Sequence, residues 1–223
     1  MNKTLKIAPS ILSADFLDLR KELQKCVDAG IKIIHYDVMD FDFVPNLTFG
    51  SKILKDIANQ FDLNIDIHFM IKVKTLNFSD FFNEFIKCKP LIMTMHIESM
   101  ETEQIEIFIE LCKKNKIKPS LAISPNTPVE EVNPYLKKIE NILVMSVHPG
   151  FGGQAFLESC INKIEYLKKI RKEKNLDYTI EVDGGINETT CKIVSKAGAD
   201  IVVAGSYLFE SSNFEISLEK LND

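Results

Sequence analysis

Eight short apolar runs alternate with eight amphipathic stretches from one end of the chain to the other, and no segment is left over. Several of the runs are apolar at nearly every residue, the pattern of strands covered on both faces in a parallel sheet. Strict βα alternation repeated eight times in 223 residues predicts an α/β fold, a (β/α)8 (TIM) barrel forming a single domain over residues 1–223. A doubly wound open sheet is the alternative. Against it, the first βα turn, Ala8-Pro9-Ser10-Ile11-Leu12-Ser13, lacks the Gly-x-Gly-x-x-Gly spacing of a dinucleotide fold.

The predicted strands cover residues 5–8, 31–38, 63–70, 91–97, 118–123, 142–147, 179–182 and 201–204. Helical periodicity fills 15–29, 50–60, 78–88, 101–115, 128–138, 156–174, 188–198 and 213–221. Local signals mark several boundaries. Thr127-Pro128-Val129-Glu130 has the order of an N-cap, a proline at the first helical position and the reciprocal Glu of a capping box. Asn187 is placed to cap the helix that follows Gly184-Gly185, and Gly198 to close it. No linker, low-complexity tract or block of like charge divides the chain.

Composition narrows the class. The chain is 45% hydrophobic, enough for a sizeable core. No stretch approaches the roughly 20 apolar residues that span a bilayer. The start, MNKTLKIAPS, runs directly into a strand and has no leader-like apolar region. A cytoplasmic protein with no membrane partner is expected. Five cysteines are scattered without a C-x-x-C spacing and are expected to be reduced packing thiols. The Asn-x-Ser/Thr triplets that begin at Asn46, Asn77 and Asn187 are taken as chance. Net charge is −5, and the lysine-rich segments 113–118 and 168–174 suit solvated helix ends, which argues against a nucleic-acid partner. An anionic small ligand would need local donors.

The polar residues of interest lie where the apolar runs end. His35 and Asp37 end strand two, His68 ends strand three and Asp183 ends strand seven. The i, i+2 spacing of His35 and Asp37 directs both to one side of the strand. Such side chains cost several kcal/mol in a buried strand unless paired or coordinated. In a barrel of this kind the strand ends form the active face. His96 and His148 follow strands four and six, so all four histidines fall on one rim. Two imidazoles and two carboxylates suit one divalent ion. Zn2+, Fe2+, Mn2+ and Co2+ suit this donor set better than Ca2+ or Mg2+, and the residues do not choose among the four. A histidine–carboxylate hydrogen-bond network without metal accounts for the same spacing.

Three glycine motifs occupy the loops after strands six, seven and eight: Gly150-Phe151-Gly152-Gly153, Gly184-Gly185 and Gly205-Ser206. Glycine lets backbone N–H groups converge on an anion, and the helix behind each loop adds a favourable dipole. None carries an obligatory Lys or Arg, so a phosphate would be held by backbone amides. Met39, Met70 and Met145 lie at or near strand ends, where they could wall a substrate site or merely pack. Ser10, ending strand one, offers a hydroxyl to the same mouth.

With these residues in view the chain resembles the ribulose-phosphate 3-epimerase family. The segments IAPSILSADF, HYDVMDFDFVPNLTFG, DIHFMI, MSVHPGFGGQAF, IEVDGGI and VAGS follow that family's motifs in order over nearly the whole length. The resemblance implies His35, Asp37, His68 and Asp183 as ligands of the divalent metal, with Asp37 and Asp183 as the two acid/base residues. It implies Ser10 and His68 as substrate contacts and the three glycine loops as the phosphate cradle. The implied reaction interconverts D-ribulose 5-phosphate and D-xylulose 5-phosphate through an enediolate, in the non-oxidative branch of the pentose phosphate pathway. A six-carbon ketose phosphate such as allulose 6-phosphate is the nearest alternative substrate. A metal-free lyase would need a strand-end lysine, and none is found. A non-catalytic phosphosugar-binding protein would not need two opposed carboxylates. The family also implies a homo-oligomer, dimer or hexamer. Two departures stand out: Phe41 and Asp42 replace the family's usual Gly and His, and His148 replaces a common Asn or Glu. If the turn at residue 41 needs φ > 0, Phe41 carries a steric cost.

Overall fold

In the computed structural model, which describes residues 5–74 and 77–222, eight parallel strands form one sheet of order β1-β8-β7-β6-β5-β4-β3-β2. They are β1 (Lys6–Pro9), β2 (Ile33–Met39), β3 (Asn64–Met70), β4 (Ile92–His96), β5 (Lys118–Ile123), β6 (Asn141–Met145), β7 (Thr179–Asp183) and β8 (Ile201–Ala204). A bridge between Ser10 and His35 joins the two ends of that order and brings the sheet round into a barrel. All residues of β2, β4 and β6 are buried, as required of strands with helices outside and packed side chains inside. The reading of residues 1–4 as a start without a leader lies outside the described residues.

Around the sheet lie α1 (Leu19–Asp28), α2 (Ser51–Gln60), α3 (Asn83–Ile86), α4 (Thr102–Lys114), α5 (Cys160–Glu173), α6 (Glu188–Ala197), α7 (Ser206–Phe209) and α8 (Phe214–Asn222). Their apolar faces join the outer faces of the strands in one large core that includes Tyr36, Phe69, Phe82 and Phe108. Asn187 caps α6 through its side-chain oxygen, and Gly198 closes the helix at φ 128°, both as its sequence requires. All five cysteines are free. Among the described residues no helix is long and apolar enough to cross a membrane.

The fifth helical segment differs from its prediction. Residues Val129–Tyr135 form a 3-10 helix that contains Pro134. A proline there removes an amide donor and its ring obstructs an α-turn, so the segment stays short and tightly wound. Thr127 does not cap it; its hydroxyl donates to the Glu98 carboxylate instead. The segment near 78–88 is likewise shortened to a 3-10 turn, Asp80–Phe82, followed by α3.

Strand register carries the polar residues to one level. His35 pairs with Asp66, Asp37 with His68 and Met39 with Met70 along β2 and β3. On the other side Met145 pairs with Asp183 along β6 and β7. Alternate residues of a strand share a face. The inward set is therefore His35 and Asp37 on β2, Asp66 and His68 on β3, and Glu181 and Asp183 on β7.

Candidate active site

The four predicted strand-end residues converge. One donor atom from each of His35, Asp37, His68 and Asp183 lies within 4.8 Å of the others. Asp37 Oδ1 is 3.1 Å from His68 Nδ1 and 3.3 Å from His35 Nε2, and those two nitrogens are 3.3 Å apart. Asp183 Oδ2 stands 3.8 Å from His68 Nδ1 and 3.9 Å from His35 Nε2. Ser10 donates its hydroxyl to the other Asp37 oxygen at 2.7 Å. The imidazoles are wholly buried and form the floor, whereas both carboxylates line the open cavity above.

The two carboxylates differ in acidity. Burial pushes Asp37 upward, but the adjacent His35, and hydrogen bonds from His35 and His68, override it and hold the carboxyl well below its usual range. Burial raises Asp183 to about 7, and the charge on Asp37 adds to the rise. His35 is held well above the ordinary imidazole range: burial opposes its charge, but Asp37 and Asp66 on either side outweigh that. Burial lowers His68 to about 4.

Beneath this cluster lies a layer absent from the predicted set. Asp66 Oδ2 is 2.5 Å from His35 Nδ1, and Glu181 Oε1 is 3.6 Å from the same nitrogen. Glu181 also accepts from Asn141 Nδ2 at 2.6 Å. Burial, then the neighbouring Asp66, raises Glu181 to about 7. Both residues carry a sequence signal. Asp66 stands two positions before His68 and Glu181 two before Asp183, so each strand places two polar groups on its inner face.

The cavity is lined by Ser10, by Met39, Met70 and Met145, and by all three glycine loops, including Phe151 and Ser206. Met39 and Met70 pack with Val44 at the mouth, flanked by Leu12 and Phe43. Behind Gly205 the chain turns directly into α7, a helix that periodicity did not reveal. A Cβ on Gly205 would lie 2.5 Å from Ser13 Oγ, and one on Gly152 would lie 3.3 Å from the same atom. Ser13, a cavity-lining residue outside the predicted set, thus touches two of the three loops. Asn46 donates to the Gly150 carbonyl at 2.8 Å, and Gln154 donates to the carbonyls of His148 and Phe151, which fixes the loop after β6. His148 lies exposed on the rim, beyond the end of β6.

Phe41 adopts φ 62°, so the turn after β2 does demand the left-handed region. Its side chain is 70% exposed, and Asp40 Oδ1 accepts from the amides of Asp42 and Phe43 to hold the turn. Asp42 is tied to Lys74 at 2.7 Å.

Residues 6–209 match the Ribulose-phosphate 3 epimerase family. The chain is 40% identical to ribulose-phosphate 3-epimerase of Buchnera aphidicola, over 99% of this chain and 94% of that protein. It is 36% identical to the Escherichia coli K12 ribulose-phosphate 3-epimerase, over 98% and 95% respectively. Among solved structures, a tryptophan synthase α-subunit variant from Pyrococcus furiosus has a TM-score of 0.70 at 17% identity, covering 99% of this chain and 98% of that one. A 3-hexulose-6-phosphate synthase has a TM-score of 0.64 at 17% identity, covering 98% of each. These two share the barrel fold. On its sequence relatives, the chain belongs to the ribulose-phosphate 3-epimerase family, isomerases that act on carbohydrates.

Proposed function

We propose that the chain interconverts D-ribulose 5-phosphate and D-xylulose 5-phosphate by proton transfer at C3, the step that links these sugars in the non-oxidative pentose phosphate pathway. The observation that carries this reading is geometric: Asp37 from β2 and Asp183 from β7 line one cavity, each with a carboxylate oxygen within 4.8 Å of the other and of His35 and His68. Epimerisation next to a ketone needs one ionised and one protonated group at the outset. Asp37 removes the C3 proton, leaving an enediolate, and Asp183 returns a proton to the opposite face. In the reverse direction they exchange roles, and their titrations are coupled.

Four donors of nitrogen and oxygen type within 4.8 Å fit a divalent ion, held by His35, Asp37, His68 and Asp183. Zn2+ is the first expectation, with Fe2+, Mn2+ or Co2+ also matching the donor set. When bound, such a cation supplies Lewis-acid stabilisation of the negative charge that develops on the substrate oxygens. Ser10 orients Asp37 through its hydrogen bond. Met39, Met70 and Met145 exclude water around the reacting carbon. The loops of Gly150–Gly153, Gly184–Gly185 and Gly205–Ser206 hold the phosphate through backbone amides. His68 closes the floor below the substrate.

The test is solvent deuterium incorporation at C3 in a single turnover. Incorporation by the native chain and its loss in both Asp37→Asn and Asp183→Asn is expected; brisk epimerisation by either variant refutes the two-base assignment. Comparing kcat/KM for ribulose 5-phosphate and allulose 6-phosphate, before and after chelation, decides the sugar length and the need for metal together.

A further inference from the structure

Behind His68 runs a chain of hydrogen bonds that the acid/base pair does not use. His68 Nε2 lies 2.9 Å from His96 Nε2, with the two rings stacked at 5.0 Å. His96 Nδ1 lies 3.0 Å from Glu98 Oε2. The other Glu98 oxygen accepts from the Ser124 amide at 2.7 Å and from the Thr127 hydroxyl. The loop that supplies both donors is held in turn by Lys163 on α5, whose ammonium donates to the carbonyls of Ser124, Pro125 and Thr127 at 2.7–2.8 Å. His96 is fully buried, so its ring nitrogens have no recourse to water.

Only one arrangement of protons satisfies this chain while His68 ligates a cation. An ionised carboxylate only accepts, so His96 donates its Nδ1–H to Glu98. A neutral His96 then presents Nε2 as an acceptor, and His68 donates to it from Nε2. That leaves the lone pair of His68 on Nδ1, the atom turned toward Asp37 Oδ1 and His35 Nε2. We propose that Glu98 is a positioning residue that fixes, through His96, the tautomer in which His68 offers Nδ1 to a divalent cation. His35 is braced separately, by Asp66 at its own Nδ1. The two imidazoles would thus be set by different carboxylates, one on β3 acting directly and one on the turn after β4 acting through an intermediate ring. This inference rests on the metal reading of the cluster given above.

Glu98→Gln keeps the shape and reverses the logic. The Ser124 amide still requires an acceptor, so the glutamine carbonyl turns to it and the NH2 group faces His96 Nδ1. His96 then carries its proton on Nε2, where it meets His68 Nε2, and the His68 proton is driven to Nδ1. Loss of such an outer partner lowers metal affinity about 10–100-fold. Zn2+ affinity of the full chain is measured by competition with a chromogenic chelator, and the ring protons are located by 15N NMR on histidine-labelled protein. The expected result is a 10–100-fold weaker Zn2+ affinity in Glu98→Gln. In the zinc-loaded native chain His96 is expected to be protonated at Nδ1 and bare at Nε2. Native affinity in Glu98→Gln overturns the role of Glu98. So does a His96 protonated at Nε2 in the native chain, which needs no variant to fold. A native chain that takes up no Zn2+ overturns the metal reading itself and this inference with it, and the chelator titration separates that failure from the other two.

Discussion

Gly184→Ala probes the joint between β7, which ends at Asp183, and the loop proposed to hold the phosphate. Gly184 directly follows Asp183, at φ 118°, a conformation that residues with a Cβ rarely adopt. A Cβ placed there would lie 2.4 Å and 2.7 Å from the two Cγ atoms of Val147 and 2.9 Å from its Cβ. Val147 is buried and cannot swing into solvent. The Gly184 carbonyl is also fixed, accepting the Ser146 hydroxyl at 2.7 Å. Backbone strain of this kind costs about 1–3 kcal/mol, and overpacking a filled core about 1–3 kcal/mol more. The sum, about 2–6 kcal/mol, is a large share of the roughly 5–15 kcal/mol that holds a domain folded. The assay is urea unfolding, read as a fall in midpoint at constant slope. Val147→Ala in the same chain removes both Cγ contacts but not the backbone strain. The double variant should therefore recover about 1–2 kcal/mol relative to the sum of the single losses. Because Gly184 lines the cavity, KM for the phosphosugar should rise more than kcat falls. A Gly184→Ala variant within about 0.5 kcal/mol of the native chain would show that the close packing against Val147 does not constrain the loop.

Glu181→Gln should flatten part of the pH dependence of stability in chelated protein. Glu181 has a folded pKa raised from 4.5 to about 7, so its contribution is complete below 4.5, is lost as pH rises to about 7, and is level above that. A neutral glutamine removes this decline, leaving the share that Asp183 contributes in the same window. Urea midpoints at pH 5 and pH 8 measure it, and an unchanged difference between them refutes the assignment. Arg171→Ala should destabilise by about 2–4 kcal/mol, because it removes the ion pair to the buried Asp200 carboxylate and the bond to the Tyr178 carbonyl at once. Arg171→Lys should recover less than half of this, since it gives up the flat guanidinium that lies 5.8 Å over the Tyr178 ring; thermal unfolding decides, and full recovery by lysine would refute the geometric argument.

The barrel was legible because its strands are short, apolar on both faces and evenly spaced, so the period fixes both element type and order. What failed were the elements whose geometry depends on single residues. Pro134 blocks an α-turn that the hydrophobic spacing of 128–138 otherwise supports. The four residues of α7 are too few to show a period, so the helix behind Gly205 is hidden within a loop signal. Thr127 illustrates a subtler limit. It has the chemistry of a cap, but the Glu98 carboxylate on the turn after β4 competes for its hydroxyl and wins. Sequence spacing cannot register a competitor 29 positions away.

The same distinction holds in the site. Which residues meet follows from strand period and from the common level of the strand ends, so His35, Asp37, His68 and Asp183 could be grouped from sequence alone. What each does after meeting depends on partners that come from across the barrel. Asp37 and Asp183 are chemically identical side chains, and nothing in VMD or VDG separates an acid from a base. The asymmetry arises in space. Asp37 receives the Ser10 hydroxyl and sits within 3.3 Å of both imidazoles, which stabilises its ionised form. Asp183 stands 3.8–3.9 Å from the same nitrogens, too far to share fully in their hydrogen bonds, so burial, with the charge on Asp37 added, raises it to about 7. On the proposed reading, a difference of about 0.6–0.7 Å in reach (3.1 against 3.8 Å to His68, 3.3 against 3.9 Å to His35), set by which strand carries the residue, divides one residue type into two roles.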